Sequence, residues 1–326
     1  MTTSPLLEIK DLATHFVSAR GTRVVRAVNE VSLSLNAGET LGIVGESGSG
    51  KSTLALSILR LLPPAARIVS GEILFEGEDL LKKSDGEMRR IRGKRVAMIL
   101  QDPMASLNPL FTIGDQIAEP IRVHDHANRS RAWAKALDLL KAVRISAPQA
   151  RAREYPHQMS GGMRQRIVGA IAISCEPALL IADEPTTSLD VTIQAQYLNL
   201  LRELQRTHGL ALIFITHNLG IVARMCDHVA VMYAGRIVEA GPVRRLFNAP
   251  AHPYTEALLA SIPRLGDPHQ RLTAIDGQPP DMAAPAPGCA FQPRCPRAIA
   301  RCRQDDPPGF VAGEAHTARC WLQGPR

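Results

Sequence analysis

The stretch Gly45-Glu46-Ser47-Gly48-Ser49-Gly50-Lys51-Ser52 leaves this chain little freedom in how it folds. It fits the pattern G-x-x-x-x-G-K-[ST], follows a short apolar run at 41–44, and opens a helical pattern that continues to about residue 62. Glycines at these positions let backbone N–H groups close around phosphate oxygens, and a helix start adds the positive end of its dipole. Lys51 then has the reach for the outer phosphates, and the Ser52 hydroxyl suits Mg²⁺. A chance glycine-rich turn would not come with a strand before it and a helix after it. The motif therefore asks for an α/β core.

The rest of the chain agrees. Apolar runs at 31–35, 96–100, 178–182, 211–216 and 229–233 read as further strands. Ile193, Tyr197, Leu200, Leu201 and Leu204 fall on one helix stripe. Strand–helix alternation of this kind implies a parallel sheet with helices on both faces. Between about 111 and 175 the strands disappear, and 113–123, 131–143 and 162–173 read as helices, so a helical subdomain is expected there. After residue 261, Pro263, Pro268, Pro279, Pro280, Pro285 and Pro287 break any long element and mark a linker or extended wrap. The expected organisation is an α/β domain at 1–262 with its helical insertion, followed by a small C-terminal extension at 263–326. No internal repeat is visible.

Composition narrows the class. At 45% hydrophobic and 21% charged residues, the 326-residue chain has ordinary globular make-up and not that of a disordered one. Aromatics are only 4%, so Leu, Ile, Val and Ala must fill the core. No run approaches the roughly 20 apolar residues of a membrane span. The first ten residues lack a secretory signal, so the expected location is the cytosol, with any membrane crossing left to partners. Part of the net charge of +7 sits in Arg89, Arg90, Arg92, Lys94 and Arg95. That cluster suits a solvated helix face, with nucleic acid or anionic head groups as the alternative.

A second chemical signal lies at 179–184, an apolar strand ending in Asp183-Glu184. Mg²⁺ takes oxygen ligands and keeps several waters, so Asp183 suits the metal through water and Glu184 suits a general base. Adjacent carboxylates also serve as plain helix caps, and Pro185-Thr186-Thr187 suits a simple turn. The phosphate loop upstream favours the chemical reading. Loop and carboxylates together still do not choose among phosphate-loop NTPases.

The choice comes from Met159-Ser160-Gly161-Gly162-Met163-Arg164-Gln165-Arg166. Here the chain resembles the ABC (ATP-binding cassette) ATPases, whose signature is a Ser-Gly-Gly turn at the head of a helix. The resemblance implies an α/β nucleotide-binding domain with a mixed sheet core and an inserted helical subdomain, and two such cassettes paired head to tail, the signature of one covering the γ-phosphate held by the other. It implies that Gly45, Ser47, Gly48, Ser49, Gly50, Lys51, Ser52 and Thr53 hold ATP, with Ser160, Gly161 and Gly162 acting from the facing cassette. Gln101 matches the Q-loop glutamine, which meets Mg²⁺ and water and senses the membrane subunit. Ser188-Leu189-Asp190 matches the D-loop and His217 the switch histidine. Phe16 matches the aromatic that stacks on adenine, although an isolated Phe is more often core. The implied Mg²⁺ ligands are Ser52, Gln101 and Asp183; the implied catalytic residues are Glu184, His217, Lys51 and Gln101. Met159 and Met163 depart from the usual leucine and glutamine without removing an anion contact, so an active hydrolase is expected.

Three further stretches narrow the resemblance. Gln101-Asp102-Pro103-Met104-Ala105-Ser106-Leu107-Asn108-Pro109, Tyr155-Pro156-His157-Gln158 and His252-Pro253-Tyr254-Thr255 are similar to dipeptide and oligopeptide importer ATPases. This implies a peripheral subunit on the cytoplasmic face of the inner membrane that powers peptide import. Its implied partners are two transmembrane permease subunits, a second ABC ATPase (a paralogue rather than itself) and an extracytoplasmic substrate-binding protein, with no nucleic acid. Nickel chelates and glutathione are alternative cargoes, and a soluble ABC ATPase acting on nucleic acid or ribosomes is the rival class.

Four of the six cysteines, Cys289, Cys295, Cys302 and Cys320, cluster near the C-terminus with spacing C-x5-C-x6-C-x17-C. Disulfides are not expected in the cytosol. Four thiolates suit an iron–sulfur cluster or zinc, although the short C-x2-4-C knuckle of structural zinc is missing; unligated thiols are the third reading. The resemblance favours a [4Fe-4S] cluster that pins the tail. Cys175 and Cys226 read as buried small hydrophobes.

Overall fold

The computed structural model describes residues 4–102, 106–187, 189–262, 274–285 and 287–324. Pro103, Met104 and Ala105 of the expected Q-loop region, Ser188 of the expected D-loop, and Pro263 and Pro268 of the expected linker lie outside the described residues. The chain divides into two compact units: Met1–Leu35, Thr40–Leu81 and Ile215–Arg326 form the first, Asn36–Glu39 and Lys82–Phe214 the second.

The first unit opens with β1 (Leu7–Val17), β2 (Val24–Leu35), β3 (Thr40–Val44), α1 (Lys51–Ile58), β4 (Ala66–Phe75) and β5 (Glu78–Asp79). In the second unit follow α2 (Asp85–Ile91), β6 (Val96–Ile99), α3 (Ile113–His124), α4 (Arg129–Ala142), α5 (Pro148–Arg151) and α6 (Gly161–Ile173). Then come β7 (Leu179–Asp183), α7 (Val191–His208) and β8 (Ala211–Ile215), which ends at the division. Back in the first unit are α8 (Leu219–Met225), β9 (His228–Tyr233), β10 (Arg236–Pro242), α9 (Val243–Asn248) and α10 (Pro253–Ala260). The chain closes with α11 (Arg301–Gln304), β11 (Phe310–Gly313) and β12 (His316–Ala318).

An antiparallel sheet in the order β2-β1-β4-β5 occupies the start of the first unit. Only its 31–35 segment is legible in the sequence, and the reason is a bulge. Leu7 and Ile9 face inward in alternation, but the next buried residue is Leu12, with Asp11 turned to φ 45° between register shifts. One extra residue breaks the period of two that marks a strand. A second run of strands is ordered β11-β12-β10-β9-β3. β3 and β9 are parallel, Leu41 opposite His228 through Val44 opposite Val231, whereas β10 is antiparallel to β9 and to β12. The sheet is therefore mixed, as the family resemblance implies, although strand–helix alternation alone suggested a parallel one. The β9–β10 turn is Ala234-Gly235, both at positive φ (47° and 81°), the backbone a tight two-residue hairpin requires.

The core of this unit gathers Val44, Val229, Val231, Tyr233, Val238, Leu246 and Tyr254 with Phe291 from the C-terminal region. The Phe291 ring stands edge-on to Tyr233 at 5.4 Å. Residues after 274 are thus not an appendage. β12 joins the sheet, Arg26 N–H donates to the Met282 carbonyl at 3.1 Å, and His316 Nε2 meets the buried Glu239 carboxylate at 2.7 Å.

In the second unit β6 and β7 are parallel, Val96 opposite Leu179, and β8 neighbours β7. All five residues of β7 are buried, which explains its uninterrupted apolar run. Between Ile113 and Ile173 the described elements are helical. Side chains of Thr112, Asn128 and Ser160 accept N–H bonds at the starts of α3, α4 and α6, as helix capping requires. Tyr197, Leu200, Leu201 and Leu204 of α7 are buried as the stripe predicts, while Ile193 is half-buried. No helix among the described residues is long and apolar enough to cross a membrane.

Candidate nucleotide site

In the first unit, β3 delivers the chain into the loop at 45–52 and α1 leaves it at Lys51. Two glycines have no substitute here. A Cβ on Gly45 (φ 153°) would lie 2.1 Å from the Met232 carbonyl oxygen, and one on Gly50 (φ 104°) 2.0 Å from that of Ala27. Both are backbone contacts that cannot yield, so the loop keeps its curl only with hydrogen at these positions. Gly48 (φ 77°) faces open space. Lys51 is 7% exposed, and its Nζ donates to the carbonyls of Gly45 (2.8 Å) and Glu46 (2.9 Å) and to Ser49 Oγ (3.3 Å). The ammonium is thereby held over the loop. Ser47 and Ser52 are exposed; Ser49 is buried, and the Thr53 carbonyl accepts from Ser57 Oγ at 2.7 Å.

Glu46 is pinned on all sides. Its N–H donates to Tyr254 Oη at 2.9 Å, and its carboxylate takes a two-pronged contact from Arg294, 2.7 Å to Nη1 and 2.9 Å to Nη2. That pairing holds the Arg294 guanidinium above the ordinary arginine range, and burial raises the Tyr254 phenol. Neither Arg294 nor Tyr254 figures in the sequence-derived site. Elsewhere in this unit, Phe16 is half-buried on β1. His217 is exposed, in a turn set by Thr216 N–H to the Ile43 carbonyl and by Asn218, whose N–H donates to Thr216 Oγ1 and whose side chain caps α8.

The second unit brings Gln101 and Glu184 together. β6 ends just before Gln101 and β7 just before Glu184, and the parallel register of the two strands sets their ends side by side. Gln101 Nε2 donates to Glu184 Oε2 at 3.1 Å, and Thr187 Oγ1 donates to the same oxygen at 2.9 Å. Glu184 sits at φ 45°, a strained backbone for a residue with a side chain, of the kind that gathers at functional positions. Asp183 is buried at 5% exposure. Thr187 is the residue the sequence left as part of a simple turn. Ser160 caps α6, accepting from Met163 N–H at 3.3 Å; Ser160 and Gly161 are exposed, while Gly162 lies tight against Ile193. Asp190 is exposed and caps α7 through Ile193 N–H at 2.9 Å.

Among the described residues no group of three or more His, Cys, Asp or Glu is gathered to hold a metal ion. For Mg²⁺ this is no obstacle, since that ion is usually held by one or two carboxylates, waters and the substrate's own phosphates. For the expected iron–sulfur cluster it matters. Cys289, Cys295, Cys302 and Cys320 do line one small cavity, together with His252, Phe291 and Trp321. They are free thiols, and burial pushes the Cys289 thiol up to about 12. A [4Fe-4S] cluster is not shown among the described residues. Cys175 is buried as expected, whereas Cys226 is half-buried, its Sγ 3.1 Å from where a Cβ on Gly42 would stand.

A glycine-built phosphate loop between strand and helix, an acidic strand end, and a Ser-Gly-Gly helix start on a mixed α/β scaffold define an ATPase cassette. Residues 28–187 match the family described as ABC transporter, and residues 238–302 match the oligopeptide/dipeptide transporter C-terminal region. The chain is 50% identical over 322 residues to the dipeptide transport ATP-binding protein DppD of Bacillus subtilis, covering 98% of this chain and 96% of that one. It is 46% identical over 315 residues to DppD of Escherichia coli, covering 97% and 96%. Among solved structures, CbiO1 of Clostridium perfringens, part of a CbiONQ transporter complex, aligns with TM-score 0.64 at 26% identity, covering 76% of this chain and 92% of that one. The chain belongs to the ATP-binding proteins of ABC transporters.

Proposed function

We propose that this chain hydrolyses ATP to power import of dipeptides or oligopeptides across the inner membrane. The observation that carries the reading is the near full-length likeness to dipeptide transport ATP-binding proteins, the C-terminal region included. In this reading the chain works at the cytoplasmic face, bound to two transmembrane permease subunits and a paralogous second ATPase. An extracytoplasmic binding protein supplies the peptide. Residues 1–262 form the cassette with a helical subdomain at about 111–175, and 263–326 form the extension.

Each residue then has a task. Backbone N–H groups of the 45–52 loop and Lys51 grip the triphosphate, and Phe16 stacks on adenine. Ser160 and its two glycines cap the γ-phosphate of the facing cassette, with Asp190 at the same boundary. Ser52, Gln101 and Asp183 would hold Mg²⁺, which when bound supplies counter-charge to the phosphate oxygens. Glu184 accepts the proton of the attacking water and His217 contacts the γ-phosphate. Gln101 and Thr187 both donate to Glu184 Oε2, so that oxygen is occupied. Movement of the Gln101 amide off it, toward nucleotide, frees it to accept from the attacking water.

For the cysteines, the finer reading is that the shared cavity accommodates a [4Fe-4S] cluster once the thiols deprotonate; only their convergence on one cavity supports it. Iron and sulfide analysis of anaerobically purified protein tests it, and absence of both removes the cluster. The main test is reconstitution with the permeases, the second ATPase and the binding protein in liposomes. Peptide should accelerate phosphate release and enter the vesicles. Acceleration by a nickel chelate or glutathione with none by peptide would overturn the cargo assignment.

A further inference from the structure

The C-terminal region reaches into the phosphate loop through one side chain. Arg294 is 4% exposed, and every part of its guanidinium is engaged. Its two terminal nitrogens grip the Glu46 carboxylate at 2.7 and 2.9 Å. Nε donates to the Asp276 carbonyl at 2.8 Å, Nη2 to that of Ile275 at 3.2 Å, and Nη1 to Tyr233 Oη at 3.3 Å. The rings of Tyr233 and Phe291 lie 5.8 and 6.0 Å from its central carbon. An arginine held this way is a fixed fork and not a wandering surface charge.

What it grips is the second residue of the phosphate loop. The Glu46 carbonyl is among the acceptors holding the Lys51 ammonium, and its N–H is tied to Tyr254. The loop must admit a polyanion, and a carboxylate inside that loop repels it unless a cation neutralises it and turns it aside. We propose that Arg294 is a positioning residue for ATP binding, by which the C-terminal region neutralises Glu46 and fixes the peptide that carries Lys51. This rests on the reading of 45–52 as the phosphate-binding loop. It makes the C-terminal region part of the nucleotide site's electrostatics, which a tether that merely closes the fold would not be.

The test is a double-mutant cycle on the full-length chain, with ATP affinity read by calorimetry. Arg294→Ala should weaken ATP binding about tenfold in the native background and less than about twofold when Glu46→Gln is already present, because the repelling charge is then gone. Arg294→Lys, which keeps the charge and loses the fork, should fall between. Equal losses in both backgrounds, or no loss in either, would overturn the proposal, since a purely structural staple gives no rescue by Glu46→Gln. Should Arg294→Ala fail to fold by circular dichroism, the same cycle run with Arg294→Lys decides. Lys51→Ala separates the two ideas: unchanged ATP affinity there sinks the phosphate-loop reading itself, whereas lost affinity with a flat Arg294 cycle sinks only this one.

Discussion

The phosphate loop and the acidic strand end are equally short motifs, yet the protein supports them in opposite ways. Around the loop, shape is enforced by burial. Lys51 is 7% exposed, Gly50 has backbone where a Cβ would stand, and Glu46 is locked to an arginine that is 4% exposed. Around Glu184 the partners are exposed: Gln101 and Thr187, both exposed, donate to its carboxylate, and the exposed Ser160 turn is tied by a cap bond. A pocket that must fit one constant ligand is best built rigid. Groups that act only when nucleotide and partner arrive need freedom to rearrange. Damage near the loop should therefore show first in stability and affinity, and damage near Glu184 in rate.

The sharpest separation comes from Glu184→Gln. It should cut phosphate release by about 10²- to 10⁴-fold, the usual worth of a general base, while the melting temperature and ATP affinity hold. A large fall in melting temperature would break the contrast. Next, Glu239→Ala in the first unit should lower stability by about 3–5 kcal/mol in urea titration. It strips the buried partner from His316 Nε2 and from the N–H groups of Ala251 and His252. Gly50→Ala should cost at least about 1–3 kcal/mol, its positive φ adding to the overlap of the new Cβ with the Ala27 carbonyl, and abolish ATP binding. Retained nucleotide affinity would mean that the loop is more pliable than its packing implies. Smallest is Ser160→Ala, expected to lower stability by only about 1 kcal/mol as a lost helix cap. Phosphate release by the paired cassettes should fall further than that loss explains, and an effect confined to stability would leave Ser160 a cap and nothing more.

Where the sequence was legible, cause and consequence lay within a few residues. The glycines of the loop, the α7 stripe and the buried strand before Asp183 each follow from local backbone preference or a repeating burial pattern. β1 escaped because one bulge shifts its alternation. The antiparallel β10 and β12 escaped because strand direction is not written in apolar runs. The cysteine spacing suggested a metal ligand set, but that the four thiols line one small cavity is a fact of the fold and not of the spacing.

Arg294 and Glu46 are 248 residues apart, and no spacing rule connects them. Local chain chemistry is read from neighbours in sequence, so the amino-acid order alone dictated the phosphate loop, the carboxylates at the strand end and the signature turn. Which charges meet across long separations depends on how whole strands pack. Only the folded chain could place the C-terminal arginine against the glycine-rich loop at 45–52.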